Sequence, residues 1–290
     1  MKILLTGNKG FIGSYLEKYL SKDYEIIGID KDILNLSKGY RKGDLPICDL
    51  VIHCAGCADV RESYIHREEQ FKDNLLSTKT ILEYMYDNHI ENLIFFSSAV
   101  VYGESQRNAP ETRETNPISF YGTTKLMAEE LINGYSKIFD MNCIILRLEC
   151  IVGDGHDHGV TYDFVNKLRK NPNELEILGD GEQIKTFLHV HDLSIIIYNM
   201  IENLKRGVEI YNVGGLEPIK IHKLADIITD ELGLKNVKYK FTGGDRGWMG
   251  DVPITMLNKD KMLSLGIKPM YTTEEAIRLT VRWLDNLMGR

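Results

Sequence analysis

Short apolar runs alternate with helical stretches from the first residues of the chain. Ile3-Leu4-Leu5 reads as a strand, and a glycine-spaced turn then leads into helical sequence from Ser14 to Leu20. Residues 25–30 read as a second strand, and 50–53 as a third. A helix is expected from about Glu68 to Asp87, carrying Asn74. Asn92 to Phe96 ends in a continuous apolar run, as expected of a parallel strand covered on both faces. After a loop with Pro110 and Pro117, a helix holds Tyr121 and Lys125 and continues to about Phe139, and Cys143 to Leu148 forms another buried strand. Repeated strand–helix alternation predicts an α/β fold with a doubly wound parallel sheet. In such sheets ligands sit beyond the carboxyl ends of the strands. Gly7, Ser98 and the segment after Leu148 fall at those ends.

Beyond Gly153 the pattern loosens. Residues 153–159 form a polar loop, and 187–190 and 210–213 read as strands flanking a helix from Asp192 to Leu204. Both strands are expected to return to the main sheet. The remainder, from Gly215 onward, reads as short helices and strands of a smaller C-terminal lobe. The division that follows is 1–152, with 186–214 returning to it, against a lobe of 153–185 and 215–290.

Composition narrows the function classes. The 290 residues are 43% hydrophobic, enough for a large core, and no apolar run is long enough for a membrane span. The formal charge of −7 gives no reason to expect nucleic acid or an anionic membrane as a partner. The first strand starts next to Met1, so no signal peptide is expected; five cysteines then read as reduced thiols of a cytoplasmic protein. Cys54 and Cys57 have the spacing of a zinc half-site, yet no second pair exists, and they read as a packed turn. His156, Asp157 and His158 are adjacent and converge poorly on one ion, so they read as a solvated or substrate-facing loop, and no metal is expected.

Two constellations carry chemistry. Gly7, Gly10 and Gly13 lie in a strand–turn–helix order, with Phe11 and Ile12 at the helix start. Such a turn lets the backbone approach a pyrophosphate, which open N–H groups and the helix dipole attract. The second strand ends on Asp30, placed to hydrogen-bond the adenosine ribose hydroxyls. An acid there favours NAD over NADP, and the adjacent Lys31 softens the preference. Tyr121 and Lys125, four residues apart, share one helix face. A nearby ammonium favours the phenolate, which would make the tyrosine a base for a sugar or alcohol hydroxyl.

The glycine turn, Asp30, the run Val51-Ile52-His53-Cys54-Ala55-Gly56, Asn74, Ser97-Ser98 with Tyr102-Gly103, and Tyr121-x-x-x-Lys125 occur in order. Together they resemble the extended short-chain dehydrogenase/reductase family, the NAD-dependent nucleotide-sugar epimerases and dehydratases. The likeness extends to Gly179–Asp192, Arg246–Pro253 and Leu265–Pro269, and so covers nearly the whole chain. It implies a Rossmann-like sheet with a nucleotide-sugar lobe, NAD as cofactor and a homodimer built from the helices around 69–87 and 121–139. It also implies that Tyr121 deprotonates the sugar 4-hydroxyl, that Lys125 holds the nicotinamide ribose, and that Ser98 bonds the same sugar oxygen.

The implied cofactor contacts are Gly7, Gly10, Phe11, Ile12, Gly13, Asp30 and Lys31, then Cys54, Ala55, Gly56 and Asn74, with Tyr121 and Lys125. The implied substrate contacts are Ser98, Val100 and Tyr121, with Cys150, Lys185, Arg246 and Asp251 toward the diphosphate. Lys185 stands where many relatives have arginine, and Cys150 replaces an asparagine. Ala99 and Val100 cannot move a proton, which argues against a 4,6-dehydratase. Epimerisation at C4 of a UDP-glucose/galactose type sugar is the leading expectation. A 4-dehydrogenase or 4-keto reductase with net cofactor turnover is the second, and a non-catalytic dinucleotide sensor the third.

Overall fold

The structure, a computed structural model, describes residues 1–104 and 106–288. The N-terminal half runs β1 (Lys2–Thr6), α1 (Phe11–Leu20), β2 (Glu25–Ile29), β3 (Leu50–His53), α2 (Arg67–Gln70), a π-helical turn (Phe71–Leu76) and α3 (Ser77–Asp87). It continues with β4 (Asn92–Ser98), a 3-10 turn (Ala99–Tyr102), β5 (Arg107–Ala109), α4 (Phe120–Phe139), β6 (Asn142–Leu148) and β7 (Cys150–Val152). Then follow α5 (Gly159–Lys170), β8 (Glu174–Ile177), β9 (Ile184–Lys185), β10 (Phe187–His189), α6 (Val190–Ile201) and β11 (Gly207–Val213). The chain ends with β12 (Ile219–Lys220), α7 (Ile221–Glu231), β13 (Lys238–Phe241), β14 (Met256–Leu257), α8 (Asp260–Leu263) and α9 (Thr273–Met288). No helix among the described residues is long and apolar enough to cross a membrane.

The period-two geometry of a strand sorts each continuous apolar run between two layers. Ile3 and Leu5, Leu50 and Ile52, Ile94 and Phe96, and Ile144 and Leu146 face α1 and α6. Leu4, Val51, Leu93 and Phe95, and Cys143 and Ile145 face α3 and α4. The resulting parallel sheet has the order β11-β6-β4-β3-β1-β2. Its order reverses between β1 and β3, and the crevice above their carboxyl ends is where such sheets take ligands.

One expected strand lies elsewhere. β11 enters the sheet beside β6, pairing from Gly207↔Asn142 to Val213↔Leu148. β10 does not; it pairs with β7 in a separate two-stranded ribbon, Phe187↔Cys150 to His189↔Val152. The edge of β6 is filled along its whole length by β11, so no register remains there for a second strand. Between them α6 is capped at His189 and runs Val190–Ile201, earlier at both ends than the expected 192–204.

The smaller lobe has its own core, in which Phe164 and Leu168 of α5, Leu224 and Ile228 of α7, and Ile277 and Val281 of α9 are buried together with Phe187. A polar seam joins this lobe to the sheet. Glu149, directly after β6, has a fully buried carboxylate 2.7 Å from the Lys259 ammonium. It also accepts from Leu257 N at 2.6 Å and from the Thr186 hydroxyl. A Cβ at Gly214 would stand 1.9 Å from Glu149 Oε2, so only glycine lets β11 pass the carboxylate.

Removing one partner of this pair leaves the other charge buried and unpaired. Lys259→Met should lower the urea-unfolding free energy by about 3–5 kcal/mol. Glu149→Gln combined with Lys259→Met should recover most of that loss. Equal losses in the single and double variants would show that the pair does not carry the seam.

Candidate active site

The glycine turn is built by close backbone approach. Gly7 has φ +71° and a would-be Cβ 2.8 Å from Ala55 N and Cα, which excludes any side chain. A Cβ at Gly13 would lie 2.0 Å from Gly7 O. The N-cap of α1 is Gly10, whose lack of a side chain leaves the first-turn N–H groups of Phe11, Ile12 and Gly13 without a side-chain cap. The ends of β1 and β3 are tied by Thr6 Oγ1, which accepts from Ala55 N at 3.2 Å and bonds His53 Nδ1 at 2.7 Å. Asp30, just past β2, accepts from Lys9 N at 3.1 Å and Lys31 N at 2.7 Å. The set fits a dinucleotide: open donors for a diphosphate and a carboxylate at the strand end for ribose hydroxyls. Lys31 is turned away from that role, because its ammonium pairs with Asp73 at 2.6 Å. It does not offset the charge of Asp30 as the sequence suggested.

At the end of β3, Cys54, Ala55 and Gly56 line the crevice. A Cβ on Gly56 would meet Asn74 Oδ1 at 2.6 Å and Lys125 Nζ at 3.3 Å. Asn74 is buried on the π-helical turn, and its amide is bound to the protein itself. It accepts from Cys57 N at 2.9 Å and donates to Gln70 Oε1 at 2.9 Å and Thr124 Oγ1 at 3.1 Å. In the protein alone it forms a strut between the β3 loop and α4. Cys57 Sγ accepts from Gln70 Nε2 at 3.1 Å, and burial pushes the Cys54 thiol up to about 12. Both belong to a packed turn.

Ser98, Tyr121 and Lys125 converge beyond the end of β4, all buried. Ser119 caps α4 by accepting from Gly122 N at 3.1 Å, which fixes Tyr121 in the first turn. Burial pushes the Tyr121 phenol up to about 12, with the Ser98 hydroxyl pulling the other way. Lys125 Nζ donates to Phe96 O at 2.9 Å and lies 5.9 Å from the centre of the Tyr121 ring. The helical spacing does put both residues on one face, but the ammonium turns to a strand carbonyl. Burial is the largest influence on the phenol, and the ammonium is hydrogen-bonded to the strand and not to the phenol.

Beneath these residues lies a charged clamp that the sequence reading passed over. Glu129 accepts from Arg147 Nη2 at 2.7 Å and Nε at 3.1 Å, and from the Ser97 hydroxyl. Arg147 also covers the Tyr102 ring at 4.6 Å and donates to Glu111 O at 3.3 Å. A signal existed: Glu129 continues the four-residue step from Tyr121 and Lys125, so a third polar residue sits on the buried face of α4.

On the substrate side, Val100 is half-buried on the 3-10 turn. Cys150 opens β7, and burial pushes its thiol up to about 11, so it is neutral. Lys185 is committed internally, to Asp251 Oδ1 at 3.1 Å, Thr255 Oγ1 at 3.4 Å and Val252 O. Asp251 in turn accepts from Gly247 N at 3.0 Å. These two brace the lobe loop instead of presenting free groups. Arg246 is more exposed, paired with Glu104 and donating to Asp251 O at 3.3 Å. Its loop reaches the start of α4, where a Cβ on Gly250 would be 3.2 Å from Ile118 O. The 153–158 loop is divided: His158 is exposed, whereas His156 is 5% exposed and so not solvated.

The Lys125 environment has a sign that can be measured. Burial lowers its folded-state pKa from the ordinary 10.5 to about 8. Between those values the unfolded chain holds a proton that the fold has released, so this residue makes stability rise with pH across that window. The unfolding free energy of the cofactor-free wild type minus that of Lys125→Met should climb from pH 8 to pH 10.5. A flat difference would mean that the ammonium is well solvated.

Comparison with known proteins agrees with this geometry. The model of the NAD dependent epimerase/dehydratase family matches residues 3–214. A putative UDP-glucose 4-epimerase of Methanocaldococcus jannaschii is 32% identical over 98% of this chain and 98% of its own. The crystal structure of a UDP-galactose 4-epimerase has a TM-score of 0.85 at 30% identity, covering 99% of this chain and 100% of the other. UDP-glucuronic acid 4-epimerase from Bacillus cereus, solved with UDP-glucuronic acid and NAD, has a TM-score of 0.89 at 27% identity, covering 99% and 100%. NAD is thus the cofactor, and the chain belongs to the NAD-dependent epimerase/dehydratase family.

Proposed function

We propose that the protein inverts a UDP-hexose at C4 through a transient 4-keto sugar, with UDP-glucose and UDP-galactose as the pair interconverted. The observation that carries this reading is the convergence of Ser98, Tyr121 and Lys125, buried together beyond β4 and beside the glycine turn. NAD, when bound, supplies the hydride acceptor and donor for C4. Tyr121 takes the proton of the 4-hydroxyl and later returns it. Ser98 hydrogen-bonds the same oxygen and shares its charge as the proton moves. Lys125 is within reach of the cofactor crevice, next to Gly56, to hold the nicotinamide ribose. The phenol needs a positive neighbour to ionise near neutral pH, and the nicotinamide cation is the one this reading supplies.

A C4 reaction without dehydration is supported by Ala99 and Val100, neither of which can accept a proton from C5. A neutral hexose is favoured over a hexuronate because these positions carry no charge and Lys185 is committed to Asp251. Arg246 is left as the cation for the diphosphate, with Cys150 contributing a neutral surface. In this reading 1–152 with β11 hold the cofactor, and 153–185 with 215–290 hold the nucleotide sugar; residues 289–290 of that range lie outside the described residues. A homodimer through α3 and α4 is consistent with exposed apolar side chains there, Tyr86, Met127 and Ile138.

The purified protein, with no cofactor added, should convert one member of a panel of UDP-, GDP- and dTDP-sugars to its C4 epimer on chromatography. Turnover only with stoichiometric consumption of added NAD or NADH would replace this reading with a dehydrogenase or reductase. Tyr121→Phe should lower kcat by roughly 10²–10⁴-fold while NAD stays bound, and a fully active variant would remove Tyr121 as the base. Asp30→Ala should weaken NAD binding; unchanged affinity would place the adenosine ribose elsewhere.

A further inference from the structure

His53 and His156 are two deeply buried imidazoles in opposite circumstances. His53 is 1% exposed, and both its nitrogens are bonded, to Thr6 Oγ1 at 2.7 Å and Thr78 Oγ1 at 3.1 Å. His156 is 5% exposed, and neither of its ring nitrogens has a partner among the described residues. Burial pushes both rings down to about 3, so each is neutral near pH 7, with one N–H donor and one acceptor. His189, 6% exposed, accepts at Nδ1 from His191 N and has its Nε2 without a partner among the described residues, whereas His53 is fully satisfied. His156 departs from it by leaving buried polar atoms unsatisfied, an arrangement native interiors rarely keep without a ligand or water to complete it.

The surroundings of His156 say which ligand. Its ring meets Phe11 edge-on with centroids 5.2 Å apart, and Phe11 is the first residue of α1. The loop is pressed against that turn: a Cβ on Gly155 would lie 3.2 Å from the Phe11 ring. His156 N donates to Gly153 O at 3.1 Å, which closes the turn and holds the side chain inward. His158 stacks on the ring at 5.7 Å, but its Nδ1 is engaged with Asp157 Oδ1 at 2.7 Å. Gly159, the next neighbour, brings no side chain. Through Phe11 the ring adjoins the first turn of α1, whose N–H groups have no side-chain cap.

We propose that His156 is a cofactor-binding residue, donating a ring N–H to a diphosphate oxygen of NAD alongside the backbone N–H groups of α1. A neutral imidazole suits this position, since it adds a donor without the cost of burying a second charge. The inference draws on the NAD cofactor and not on the C4 reaction, so its test reads binding and stands or falls separately from epimerisation.

The test titrates NAD, ADP-ribose and AMP into the nucleotide-stripped full chain by calorimetry. His156→Leu should weaken NAD and ADP-ribose alike, by roughly 10- to 100-fold, as for loss of a hydrogen bond to a charged group. AMP, which lacks the diphosphate, should bind unchanged. His156→Gln, which restores an N–H donor, should recover part of the loss. His156→Phe keeps an aromatic edge against Phe11 without a donor; it should behave like the leucine variant, and it serves in its place if that variant does not fold. Unchanged NAD affinity in the donor-free variants would overturn the proposal. A loss confined to NAD, with ADP-ribose unaffected, would move the ring to the nicotinamide and overturn the diphosphate assignment. In a parallel titration of UDP into the same variants, a loss for UDP with NAD unaffected would give the ring to the substrate and overturn it as well.

Discussion

The site depends on how α4 is held against the sheet. Two charged residues on its inner face do this: Lys125 donates to Phe96 O on β4, and Glu129, one turn further, takes Ser97 of β4 and Arg147 of β6. A helix face packed on a sheet by apolar contacts alone can slide with little loss, because dispersion and hydrophobic burial are not directional. Hydrogen-bonded charges can satisfy their partners in one register only. The clamp therefore fixes the height of Tyr121 relative to Ser98 at the strand end. A buried ion pair is weak evidence for added stability, and its clearest use is this kind of registry.

A second polar seam performs the same service between the two halves of the molecule. Glu149 ties the end of β6 to Thr186 and to the segment that carries Leu257 and Lys259. Lys185 and Asp251 brace the lobe from within. The candidate substrate groups thus divide by circumstance. Lys185 and Asp251 are bonded to each other inside the lobe, Arg246 is paired with Glu104 in a more exposed place, and Ser98 and Tyr121 are buried together at the strand end.

Much of this was legible in the chain. Continuous apolar runs of three or four residues announce strands buried on both sides. Glycines at 7 and 13 announce a backbone approach that no side chain could survive, as the 2.0 Å clearance at Gly13 shows. Less legible were events that depend on distance in space. β10 leaves the sheet because β11 already occupies the edge of β6. Lys31 is taken by Asp73, 42 residues away. His156 lies in a polar stretch of sequence and is nevertheless buried against Phe11.

The sequence by itself determined the α/β alternation, the cofactor turn, the acid at the second strand and the shared helix face of Tyr121 and Lys125. These follow from local geometry, since periodicity, turn conformation and i,i+4 spacing are properties of a few consecutive residues. The tertiary structure decided which of the polar residues are free. Whether a lysine lowers the pKa of a tyrosine, braces a loop or bonds a strand carbonyl depends on which acceptor lies within about 3 Å after folding. That distance is set by elements far apart in the chain, and spacing along the sequence does not contain it.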